Sequence, residues 1–73
     1  MTLTITAAYG EDDKAINAYD ELISEGLPRE KLFHDKQARQ VKVIVPDSAK
    51  PEIEAILQRH EPDEIWSRPY EEA

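Results

Sequence analysis

The stretch KLFHDKQARQVKVIVP, residues 31–46, decides the fold. Its second half alternates: Val41, Val43 and Val45 fall on one side of an extended chain, and Lys42 and Ile44 on the other. Period-two alternation of β-branched residues is the pattern of a half-buried strand, here Gln40 to Pro46. Ahead of it lie a polar turn, Lys36–Arg39, and a short apolar run, Lys31 to Asp35. Two strands joined by so short a polar turn form a hairpin, so the middle of the chain is antiparallel.

The same reading extends outward on both sides. Upstream, TLTITAA (residues 2–8) alternates Leu3, Ile5 and Ala7 against Thr2, Thr4 and Thr6 and predicts a first strand. Gly10 ends it, and Glu11, Asp12 and Asp13 place carboxylates where they complement the positive end of a helix dipole. Ala15, Ile16, Tyr19, Leu22, Ile23 and Gly26 then follow helical spacing as an inner stripe, with Gly26 as C-cap and Pro28 beyond it. Downstream, a second helix is expected from Asp47 or Ser48, either of which can cap free N–H groups, with Pro51 in the first turn. Ile53, Ile56, Leu57 and His60 form its inner stripe, Pro62 stops it, and Glu64 to Tyr70 returns as a last strand.

Strand, helix, strand, strand, helix, strand is the split-βαβ order of the ferredoxin-like α+β plait. Right-handed crossovers place strands one and three at the centre of a four-stranded antiparallel sheet, with both helices on one face. One domain is expected over 1–70, with 71–73 as a frayed tail.

Composition limits what such a domain can do. The 73 residues contain no cysteine, which removes disulfides, thiolate metal sites and thiol chemistry and fits a reducing compartment. No apolar run is long enough to span a membrane, and the acidic N-terminal segment lacks the basic start of a secretory signal, so a cytoplasmic location is expected. The net charge of −7 opposes affinity for nucleic acid or anionic membranes. The charge is uneven: Arg29, Lys31, Lys36, Arg39 and Lys42 against Glu30 and Asp35 make residues 29–42 locally +3, which leaves −10 elsewhere. Charge pairing with the acidic helices accounts for such a segment as readily as a functional role does.

No catalytic constellation emerges, and no enzyme activity, cofactor or metal is expected. His34 and His60 fall on a strand and at a helix end, with no HExxH or other ligand spacing; helix capping suffices for His60. Ser24, Ser48 and Ser67 lie in no nucleophile-elbow setting. The turn at Gly10 is followed by three carboxylates, which would repel a phosphate. RNA-recognition domains of this strand order carry aromatic residues on the central strands, where this chain has Thr4, Thr6, Lys42 and Ile44.

The informative surface is the sheet face away from the helices. If Leu3, Ile5, Val41, Val43, Val45 and Ile65 point inward, then Thr4, Thr6, Lys42, Ile44, Trp66 and Arg68 point outward. That set holds the only tryptophan, an isoleucine and two cations, the residue types that anchor interfaces. These six, with Arg39 from the basic segment, are the candidate binding residues. The expected function is a non-catalytic regulatory or interaction module that self-associates, most simply as a homodimer, or docks a protein partner through this face. The competing expectations are a sensor of small anions or metabolites with a site between subunits, and an acidic decoy of a nucleic-acid-binding protein.

The stretch ITAAYGEDDKAINAYDELISEGLPREKLF, residues 5–33, resembles the opening of the small bacterial general-stress domains. Tyr9, Asp12, Ala15, Ile16, Leu22, Gly26 and Leu27 carry the resemblance. It covers the first half only; the PDSAKPEIEAIL and IWSRPY segments lie outside it. It implies a bacterial cytosolic domain and transfers no functional residue.

Overall fold

A computed structural model describes residues 1–70. The expectation of a frayed tail at 71–73 lies outside the described residues. The strands are β1 (Thr2–Ala8), β2 (Leu32–Asp35), β3 (Gln40–Pro46) and β4 (Glu64–Pro69), and the helices are α1 (Asp12–Ser24) and α2 (Lys50–Gln58). Single 3₁₀ turns, Arg29–Lys31 and Asp47–Ala49, lead into β2 and α2. The sheet order is β2-β3-β1-β4, with every pair antiparallel. This is the α+β plait expected from the alternation, with the two most apolar strands at its centre.

The hairpin is set locally. The Asp35 Oδ1 accepts from the backbone N–H groups of Gln37 and Ala38, both at 3.1 Å, which fixes the turn between β2 and β3. Apolar residues of alternate strand positions then fall on one side. Ile5, Ala7, Val41 and Val43 are fully buried beneath Ala15, Ala18 and Leu22 of α1 and Ile53, Ile56 and Leu57 of α2. Tyr9 closes this layer at the end of β1, donating its hydroxyl to the Leu57 carbonyl at 2.9 Å.

Both helices depart in detail from the reading of their sequences. Ile16 is 42% exposed and does not belong to the inner stripe of α1. The buried line is Ala15, Ala18 and Leu22, whose two alanines let the helix lie close to the sheet. Ile16, Tyr19 and Ile23 form a flanking line one step around the helix, of which Tyr19 and Ile23 reach the core edge. The helix ends at Ser24 and Glu25 is its cap, one residue before the expected one. Gly26 follows at φ +95°, with Gly26 N–H donating to Ile23 and Leu27 N–H to Leu22, the paired bonds of a Schellman turn. At α2, neither Asp47 nor Ser48 caps the helix; Ala49 holds the cap position with no side-chain bond. Asp47 is committed elsewhere, since its N–H donates to the Met1 carbonyl at 2.8 Å and its carboxylate faces the N-terminal amine at 3.8 Å. No helix among the described residues is long and apolar enough to cross a membrane.

Candidate interaction surface

The registers of the three strand pairs determine what the open face of the sheet presents. Phe33 stands opposite Lys42, Lys42 opposite Thr6, and Thr6 opposite Trp66, so these four form one row across all four strands. The row on one side is Ile44, Thr4 and Arg68; on the other it is Asp35, Gln40, Ala8 and Glu64. Neighbours in a row lie about 5 Å apart at Cβ, within side-chain reach. Thr6 shows the consequence: it lies on the side away from the helices and is only 4% exposed, because Lys42 and Trp66 flank it.

A shallow groove of about 270 Å³ occupies the middle of this face, lined by Thr4, Thr6, Gln40, Lys42, Trp66 and Arg68. Five of the seven candidate residues therefore converge there. Ile44 sits on the same face, directly opposite Thr4, at the groove's border. Arg39 does not join them. Its guanidinium bonds Asp12 Oδ1 and the Gly10 carbonyl, each at 3.2 Å, and its own carbonyl accepts from Tyr9 N–H. Arg39 thus pins the β2–β3 turn to the start of α1, and Lys42 alone of the basic segment lines the groove.

Two residues escaped the sequence reading. Gln40 has the same parity as Lys42 and could have been included by alternation alone. Phe33, 48% exposed, takes its place beside Lys42 only through the hairpin register, which the turn sets and composition does not reveal.

The groove combines a largely apolar lining, led by Trp66, with two cations, Lys42 and Arg68. Among the described residues, neither Lys42 nor Arg68 makes an ion pair; the pairs that do form join Met1 to Asp47, Arg39 to Asp12, and Arg59 and His60 to Glu21. With no carboxylate partner among the described residues, Lys42 and Arg68 offer two cations to an anionic group at the groove.

The titratable groups elsewhere serve packing. His60 Nε2 lies 2.7 Å from Glu21 Oε1, and Arg59 bonds the other carboxylate oxygen, tying the end of α2 to α1. The His60 bond foremost holds the Glu21 carboxyl below its usual range; burial, the next largest effect, opposes it, and the bond and charge of Arg59 add to the lowering. This corrects the helix-capping role expected of His60. The Tyr9 hydroxyl is pushed up to about 12, by burial first and by the nearby Glu21 charge second. His34 packs on the helix side of β2, its ring centre 5.8 Å from that of Tyr19. With Asp12, Ile16 and Lys36 it borders a second hollow of about 140 Å³. Among the described residues no three His, Asp or Glu side chains converge as metal ligands would.

No family model, curated protein or solved structure matches this chain. Its α+β plait is therefore established by its own topology, and its function has to be argued from the open face.

Proposed function

We propose that the chain is a non-catalytic interaction module that seats a partner on the open face of its sheet, with Trp66 as anchor. The observation that carries this reading is the cross-sheet row Phe33, Lys42, Thr6 and Trp66, in which Lys42, Thr6 and Trp66 line a groove shared with Arg68 and the exposed Phe33 stands next to Lys42. Tryptophan and arginine are the residues most often found to dominate binding energy, and truncating such an anchor costs 2 kcal/mol or more, roughly a thirty-fold loss of affinity. A cationic rim suits an acidic partner segment.

A second reading is favoured by the groove's size and lining. About 270 Å³ is at or below the lower end of ordinary ligand sites. Threonine hydroxyls, an amide and the cations Lys42 and Arg68 around it suit a small anion.

The test compares wild type with Trp66→Ala, after circular dichroism has shown the variant folded. Light scattering at low and high salt reads assembly, and capture by the immobilised chain from native extract reads partner binding. The reading requires one of the two to be lost in the variant. A monomer whose capture profile is unchanged by Trp66→Ala overturns it. Thermal-shift screening against small anions separates the second reading, since a ligand at saturation raises stability by mass action.

A further inference from the structure

The outer edge of β4 is complementary to itself. Tyr70 N–H donates to the Thr2 carbonyl at 2.8 Å, within a register that pairs Thr4 with Arg68 and Thr6 with Trp66. Backbone groups alternate in direction along an antiparallel strand. Even-numbered residues of β4 therefore bond β1, and Ile65, Ser67 and Pro69 turn their backbone groups outward. The missing N–H of Pro69 is on that outer side, where a proline costs the sheet nothing. Among the described residues, β4 is also the only strand without a buried residue, although it carries Ile65 and Trp66. The opposite edge, β2, is only four residues long.

We infer that β4 pairs with β4 of a second copy of this chain, antiparallel about a two-fold axis through Trp66, to give one continuous eight-stranded sheet. In this register Ile65 and Ser67 of each copy exchange N–H···O bonds with Ser67 and Ile65 of the other, which uses every outward donor between Glu64 and Pro69. Glu64 stands opposite Arg68 of the second copy, and Arg68 opposite its Glu64, so two ion pairs flank the axis. The two Trp66 side chains meet at the axis, in the closer-spaced kind of antiparallel pair.

Neighbouring registers lose part of this. Sliding one way sets Glu64 against the second Trp66; sliding the other sets Ile65 against the second Pro69, which has no N–H to give. The pairing would end where the structure ends it: beyond Ser67 comes Pro69, and before Ile65 the Asp63 N–H is already bonded to the Ala8 carbonyl at 2.8 Å. Because both copies face the same way, all four helices lie on one side, and the two grooves join into one face on the other. Edge pairing of this length is a small interface, so the dimer forms in a concentration-dependent way. The inference rests on the backbone edge of β4, and it stands whatever occupies the groove.

The test is sedimentation equilibrium of the full chain and edge variants over a wide concentration range. Glu64 and Arg68 are both exposed, so Glu64→Arg and Arg68→Glu leave the fold intact while placing like charges opposite each other at both flanks. Each variant alone is expected to be monomeric. Mixed in equal amounts they are expected to form a heterodimer, because every Arg then meets a Glu. Ser67→Pro removes only an outward N–H and is expected to be monomeric with an unchanged circular dichroism spectrum. A wild type that is monomeric at every concentration overturns the inference. So does a dimer that survives both charge reversals, or a mixture no more associated than its components. Should Ser67→Pro fail to fold, the charge reversals and their mixture decide the matter.

Discussion

Tyr9→Phe should exchange a small loss of stability at neutral pH for a gain at high pH. The Tyr9 ring is 3% exposed, and its hydroxyl donates to the Leu57 carbonyl, joining the end of β1 to α2. Deleting one such bond costs about 1 kcal/mol. The Leu57 carbonyl left behind still accepts from His60 N–H at 3.3 Å, so no buried acceptor is orphaned to raise that cost. The pH dependence follows from the hydroxyl being raised from 10.0 to about 12 by burial and by Glu21. A group whose value is raised on folding binds its proton more tightly in the native state. Its contribution is therefore complete below pH 10 and is lost as pH rises through 12. A displacement of this size is worth up to ~3 kcal/mol at the alkaline limit. Phenylalanine has no such dependence. Urea denaturation followed by circular dichroism should show wild type ahead by about 1 kcal/mol near neutrality. The two curves should then cross near pH ~11. A difference between the two proteins that stays constant to pH 12 would refute the argument, as would a tyrosinate absorbance titration in which Tyr9→Phe removes no component near that value.

Three further perturbations test the framework. Glu21→Gln should lower the melting temperature at neutral pH. Because the bonds from His60 and Arg59 depress the Glu21 carboxyl below 4.5, its contribution is present above that pH and is lost as pH falls through the lowered value, so the gap between the two melting curves should close in acid. Leu22→Ala opens a cavity at a fully buried position and should cost about 2–5 kcal/mol, much of the stability of a domain this small, read as a large drop in the urea midpoint. Gly26→Ala should cost about 1 kcal/mol for backbone reasons alone, since Gly26 lies at φ +95° with no atom within 4 Å of an added Cβ; a neutral result in thermal melts would contradict the Schellman assignment.

Most of the architecture is legible in the chain because its strands carry strict period-two alternation and its helices have clear stops. Thr2–Ala8 and Gln40–Pro46 are bounded in the structure as their patterns demand. What pattern could not supply was relative placement. Ile16 satisfies helical spacing as well as Ala18 does, and only the close approach of α1 to the sheet selects the small residue. Ser48 and Asp47 are both good caps in isolation, yet Asp47 is claimed by the N-terminal end of β1. His60 has Glu61 beside it in sequence and Glu21 beside it in space. The open face was read from parity, which located Thr4, Thr6, Lys42, Ile44, Trp66 and Arg68 together. Charge alone marks Arg39 for this face, and the turn geometry sends it to Asp12 instead. Phe33 and the self-complementary edge of β4 depend on register, which alternation leaves open by two-residue steps.

The central claim, that the open face is where this protein meets its partner, is tested most directly by site-specific photocrosslinking in native extract. A photoreactive residue at Gln40, on the groove rim, is compared with one at the exposed Ile16 of α1. A discrete adduct is expected from position 40, lost with Trp66→Ala and without a counterpart at position 16. Adducts equal at both positions, or one at position 40 that survives Trp66→Ala, would contradict that claim.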